Sequence, residues 1–264
     1  MDRIHRSPTA LAAAWMVLGF LLLPAFVVFP VSLTPNRYLS LPRDGVSLRH
    51  WQTLFTDPAW LGGIWESLAI AAVSTAIAVA AGTLCAIGSW RLGTRIAEGV
   101  RGAMILPLVV PTIVYALGIY RLYVELDLVG TMLGVILAHA VTGLPYVVLA
   151  VTASLANLDP ALERAARSLG ATVPQTLWRV IVPNVLPGVL SGGIFAFIHS
   201  WDELVIVIFI GGRALFTLPR LMWDGINENL DPTIAAVASA LILFTLVVLL
   251  VELALRARRT GNAA

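Results

Sequence analysis

Residues 159–188 read DPALERAARSLGATVPQTLWRVIVPNVLPG. This charged, proline-punctuated stretch interrupts two long apolar runs. Asp159 is placed as an N-cap, with Pro160 in the first turn, where its missing N–H costs nothing. Ala161 to Leu169 are good helix formers, and Gly170 stands where a helix ends in a left-handed turn. The spacing predicts a helix of about ten residues, too short to cross a bilayer. Pro183 and Pro187 then stiffen the entry to the next apolar run. An inert amphipathic loop is the plain alternative. A short rigid helix passing a push from a soluble partner into a bundle is the functional one.

The flanking chain decides the class. Of 264 residues, 59% are hydrophobic and 12% charged, against about 25% charged in soluble domains. A soluble core of this size does not hide so much apolar surface. Intervals free of Asp, Glu, Lys and Arg run over 7–36, 67–90, 102–120, 128–158, 180–201 and 232–251. About 20 apolar residues span a bilayer as a helix, so six transmembrane helices are expected, near 9–32, 64–90, 102–121, 129–152, 184–210 and 233–255. Continuous runs exclude a barrel, whose strands alternate. The fold class is therefore all-α, a polytopic membrane protein. The first span, with Arg3, His5 and Arg6 before it, reads as an uncleaved signal anchor. Cys85 stands alone in an apolar run and reads as a small core residue.

All 17 basic residues are arginine. With six spans, eleven arginines fall on the side of the termini and of 159–188, and six on the other. The positive-inside bias puts both termini and that stretch in the cytoplasm. The expected divisions are 1–63, an N-terminal helix with an external segment; 64–256, a five-helix transmembrane domain; and 257–264, a cytoplasmic tail. In the external segment Trp51, Phe55 and Trp60 read as headgroup-level anchors. Ala and Gly crowd the second span and predict close helix approach. Pro107 and Pro111 predict a kink in the third.

The fifth span holds His199, Trp201, Asp202 and Glu203. Two carboxylates in an apolar helix cost about 2.5–3.5 kcal/mol each on insertion scales, so they are expected to face a cavity, a partner charge or a solute. The alternative is ordinary charge near the outer interface. His139 in the fourth span reads as a hydrogen-bonded structural residue. The external loop before the last span adds Trp223 and Asp224. An acidic mouth attracts cations, and Trp201 and Trp223 offer cation–π faces.

The stretch 159–188 resembles the EAA loop of the inner-membrane permeases of ABC importers. Ala165 and Ala166 fill its two alanine slots and Gly170 its glycine; Val180, Val182 and Pro183 fill the later Ile, Leu and Pro slots. The glutamate slot holds Arg164, with Glu163 just before it. This leaves two readings: Glu163 makes the acidic contact, or Arg164 meets an acidic partner surface. SWDELVIVIFIGG, FTLPRLMWDGI and LDPTIAAVASALI are similar to the spermidine/putrescine branch of these permeases. The resemblance implies a type I ABC importer fold in the bacterial inner membrane. It implies coupling through Glu163, Arg164, Ala165, Ala166, Gly170 and Pro183, with a coupling helix near 160–170. The implied solute path is His199, Trp201, Asp202, Glu203, Trp223 and Asp224.

The partners it implies are an ATP-binding subunit dimer, a second homologous permease in a heterodimeric pore, a periplasmic substrate-binding protein and the lipid membrane. No nucleic-acid partner is expected. ATP and Mg would be bound by the ATP-binding subunit and no cofactor by this chain, which lacks a G-x-x-x-x-G-K-[ST] loop. The expected role is a permease subunit for a polyamine-like cationic solute, not an enzyme. The alternatives are an importer of another small solute (opine, aminophosphonate or amino-acid-like) and a standalone secondary carrier.

Overall fold

A computed structural model describes residues 8–43 and 45–261, without the side chains of Pro8, Asn229, Val248, Leu249 and 251–261. Arg3, His5, Arg6 and residues 262–264, used in the sequence reading, lie outside the described residues. Among the described residues every regular element is helical: α1 Pro8–Ser32, α2 Arg49–Thr56, α3 Pro58–Leu92, α4 Arg95–Ile105, α5 Thr112–Glu125, α6 Met132–Ala156, α7 Pro160–Ser168, α8 Val173–Thr176, α9 Val182–Asp202, α10 Val205–Ile210, α11 Leu218–Asp224 and α12 Thr233–Gly261. The tail expected from 257 onward thus begins inside α12.

Each of the six expected span positions holds a helix, but the six are unlike one another. Four runs are long and apolar enough to cross a membrane alone: Thr9–Ser32, Pro58–Leu92, Met132–Ala156 and Val173–Asp202. The third position is a broken pair, Arg95–Leu108 and Thr112–Glu125, bent by 109°. Pro107 sits in the 3-10 turn Leu106–Leu108 and Pro111 caps α5 with extended backbone. The second proline forbids a continuous ladder and pushes the residue before it out of helix, so the expected kink is a corner. The sixth is α12, apolar over Thr233–Val247.

Two compact units emerge. One holds the described residues up to Leu61 and from Met222 onward; the other is Gly62–Leu221. In the first unit α12 packs on α1 and α2. Buried His50 ties α2 to the rest: its Nε2 lies 2.9 Å from the Asn36 carbonyl oxygen and its Nδ1 3.4 Å from Thr233 Oγ1. Trp51 donates to Ser32 Oγ at 3.1 Å, and Trp60 is only 6% exposed. Of the three expected aromatic anchors, only Phe55 is left largely exposed.

In the second unit α6 is the most buried span and α9 its closest partner. Gly188 and Gly192 lie one turn apart on α9 and face it. A Cβ on Gly192 would stand 2.8 Å from Val147 Cα, and one on Gly188 would strike Ser154 Oγ and the Ala150 carbonyl. In a membrane, where burial gives no hydrophobic gain, such backbone approach is what packing offers. Gly82 of α3 meets Val147 from the other side, as the Ala/Gly run predicted. One core cluster gathers Ile70, Val135, Ile206 and Ile210, and a second gathers Ile87, Val151, Leu155 and Ile181.

The run Val173–Asp202 is helical throughout but not uniform. Leu177–Ile181 forms a π turn in which the Val182 N–H reaches back five residues to the Leu177 carbonyl. Pro183 follows immediately. In an α-helix its ring would crowd the carbonyl four residues earlier; the wider π turn relieves that crowding.

Candidate functional site

Two groups of residues stand apart from ordinary packing, one at each end of the Val173–Asp202 run. The first is α7. Asp159 Oδ1 accepts from the Ala161 N–H at 2.8 Å, as an N-cap should. Gly170 has φ +87°, the Gly170 N–H bonds the Arg167 carbonyl, and the Ala171 N–H bonds the Ala166 carbonyl. This is a Schellman closure, which needs a left-handed residue at that point. Thr172 and Gln175 then form a reciprocal capping box, so α8 starts two residues after α7 is closed. The linker holds no slack.

Glu163 faces inward. Its Oε1 accepts from Arg91 Nη2 at 2.8 Å, with side-chain exposures of 18% and 20%. Arg91 lies in the last turn of α3, so the pair ties α7 to the second span. Arg164 and Ala165 are exposed and Ala166 half-buried. Pro183 is in the first turn of α9. Arg91 is not among the residues singled out from the sequence. A separation of 72 residues leaves no local signal for the pair.

The second group lies where α9 ends. Asp202 is the last residue of α9 and is exposed. The chain turns extended at Glu203, whose Oε1 accepts from the N–H groups of Val205 (2.8 Å) and Ile206 (3.2 Å). Glu203 thus caps α10. The expectation of two carboxylates inside one continuous apolar helix is corrected: the helix breaks at them, and only Asp202 offers a carboxylate not engaged with backbone.

An open pocket of about 270 Å³ is lined by Tyr146, Phe195, Ile198, His199, Asp202 and Glu203. Tyr146 OH lies 3.5 Å from His199 Nδ1, with ring centroids 5.1 Å apart. Trp201 is not in the lining; it stacks on Phe197 at 6.1 Å. Trp223 and Asp224 belong to the other unit, Trp223 being 48% exposed. Of the six expected path residues, the structure brings together His199, Asp202 and Glu203, and adds Tyr146. A tyrosine inside an apolar run gives no sequence signal of its own.

Beside the pocket, Ser200 Oγ lies 2.8 Å from His139 Nδ1 and 3.0 Å from Ser74 Oγ, which donates to the Ala71 carbonyl. The arrangement consistent with each hydroxyl donating once runs His139 to Ser200 to Ser74 to Ala71. It joins α6, α9 and α3 through buried groups, in keeping with a structural His139.

Comparison with known proteins places this geometry. Residues 78–260 match the model of the family described as binding-protein-dependent transport system inner membrane component. The chain belongs to this family of inner-membrane permeases. It is 30% identical over 246 residues to the putrescine transport system permease protein PotI of Escherichia coli (strain K12), covering 90% of this chain and 87% of that one. It is 29% identical to the spermidine/putrescine transport system permease protein PotC of Haemophilus influenzae, over 89% and 91% of the two chains. The trehalose transport system permease protein SugB of Mycobacterium tuberculosis is 27% identical over 86% of this chain and 85% of its own.

A solved bacterial ABC transporter involved in the import of alginate superposes with TM-score 0.61 at 16% identity, over 97% of this chain and 99% of that one. An amino acid ABC transporter gives TM-score 0.57 at 22% identity, over 80% and 98%. The permease is thus a transport subunit of an ABC importer system in the inner membrane, and not an enzyme.

Proposed function

We propose that this permease forms half of the pathway for a polyamine-like small cation, driven by ATP hydrolysed on a partner. The observation that carries the solute reading is Asp202, an exposed carboxylate at a pocket it shares with the backbone-engaged Glu203 and with Tyr146, Phe195, Ile198 and His199. An ammonium group gains there from the carboxylate and from the Tyr146 face. Polyamines present such ammonium groups on apolar methylene chains, which suit Phe195 and Ile198. The naming of the relatives PotI and PotC for putrescine and spermidine supports the same reading.

Coupling runs through α7, which is held by its caps, by the capping box to α8 and by the Arg91–Glu163 pair. A displacement of α7 has few places to dissipate and passes into α3 and α9. ATP and Mg bind the ATP-binding subunit dimer. A second, homologous permease completes a heterodimeric pore, and a periplasmic binding protein delivers solute. On this reading both termini and α7 lie in the cytoplasm, the side that the arginine bias favours.

Similarity to the trehalose permease SugB supports a second reading, a neutral polyhydroxyl solute. Proteoliposomes containing this chain, its partner permease, the ATP-binding subunit and the binding protein distinguish the two. ATP-dependent accumulation of labelled putrescine, undiminished by excess trehalose, is expected. Accumulation of trehalose without putrescine would reject the cationic reading.

A further inference from the structure

A second hollow lies on α3, away from the pocket at Asp202. An open groove of about 480 Å³ is lined by Leu84, Ile87, Gly88, Leu92 and Leu177, with Arg91 as its one charged lining residue. From Leu84 to Leu92 it follows α3 for about 12 Å, and Leu92 ends the apolar run Pro58–Leu92. At Gly88 the groove is clear: an added Cβ would meet nothing within 4 Å.

Arg91 gives one N–H to Glu163. A guanidinium carries five, and among the described residues no protein acceptor meets the other four. Positive charge continues on both sides. Arg95 stands three residues beyond Leu92, and Arg179 two beyond Leu177. Both are exposed, and neither is in an ion pair among the described residues. Glu163 cancels one of these three charges, and Glu98 is already engaged with Arg101, so this end of the groove stays positive. Trp178, beside Leu177, is 70% exposed, as suits an aromatic at headgroup level.

We infer that this groove binds an anionic phospholipid, with its phosphate on Arg91 and an acyl chain laid along Gly88 and Leu84. The site stands whatever the solute and whatever the role of α7. Basic pockets at the ends of membrane helices take anionic headgroups. A phosphate accepts from a guanidinium through two oxygens, so Arg91 can hold one and keep Glu163. Charge favours lipid over other occupants. A soluble subunit does not reach the Leu84 end, inside the membrane run. A helix of a second permease would have to bring an acid of its own to satisfy Arg91.

Native mass spectrometry tests this on the permease purified with its partner permease, as phosphatidylglycerol or phosphatidylcholine is titrated in. Phosphatidylglycerol is expected to bind about tenfold more tightly. Gly88→Leu fills the groove and leaves the Arg91–Glu163 pair intact. The double variant Arg91→Gln/Glu163→Gln removes the cation without leaving a lone, poorly solvated charge. Each is expected to lower phosphatidylglycerol affinity about fivefold or more and to leave phosphatidylcholine binding unchanged. Equal binding of the two lipids to wild type, or phosphatidylglycerol affinity unchanged in either variant, would overturn the site. Displacement of phosphatidylglycerol by an equal concentration of glycerol 3-phosphate would assign the groove to a soluble phosphate and reject the lipid. Loss of the partner permease from Gly88→Leu, at unchanged melting temperature, would show the groove to be that subunit's seat and reject it too.

Discussion

Asp202 and Glu203 are adjacent carboxylates with different tasks. Glu203 spends its oxygen on two backbone N–H groups of α10, whereas Asp202 is exposed at the pocket. Neutralising them should therefore separate function from stability. Asp202→Asn is expected to lower putrescine uptake at least tenfold while leaving the melting temperature in detergent unchanged. Glu203→Gln weakens a cap worth about 1 kcal/mol and is expected to lower the melting temperature by a few degrees. A common loss of stability, measured by fluorescence melting, would contradict the division. The sequence showed the two acids but not the break between them. No glycine or proline marks residues 202–204, and the helix stops because Glu203 supplies to α10 the acceptor that a continuing helix would have supplied from its backbone.

At the scale of elements, α7 was almost wholly legible. Asp159, Pro160 and Gly170 fix its ends by local chemistry, and local chemistry is what a sequence displays. Its attachment was not legible, because the Arg91–Glu163 pair joins distant helices. Both side chains are about four-fifths buried, so removing one partner leaves a poorly solvated charge. Arg91→Glu and Glu163→Arg are each expected to lower solute transported per ATP hydrolysed, and the double variant to recover much of the loss. A double-mutant cycle on transport coupling should give an interaction of about 0.5–3 kcal/mol; additive losses would show that the pair does not act as a unit. The α4–α5 corner was half legible. Pro107 and Pro111 announce a disruption, but a charge-free interval carries no direction, so 109° was beyond reach.

For the molecule as a whole, every charge-free interval holds a helix and four of these helices are long and apolar enough to span alone, because apolar length is a one-dimensional property. Which spans pack together is not, and depends on where glycines such as Gly192 face a neighbour. The arginine bias makes a global statement that is open to direct measurement. With Cys85 replaced by serine, single cysteines at Arg164 and at exposed Glu228 should react with a membrane-impermeant maleimide from opposite sides: Arg164→Cys in inverted vesicles, Glu228→Cys in spheroplasts. Labelling of both from one side would overturn the topology.

The π turn at Leu177–Ile181 has a consequence for how such a chain changes over generations. A π turn holds one residue more than an α-helical turn requires. Loss of one codon within it leaves a helix rather than a gap, provided Pro183 is accommodated. Because the wide turn already absorbs that residue, the deletion would leave α7 facing nearly as it does, where the same deletion in a regular α-helix would turn it by about 100° and draw it in by about 1.5 Å. A single in-frame deletion is thus better tolerated here than elsewhere in the run, because it leaves both the coupling helix and the residues at the pocket in place.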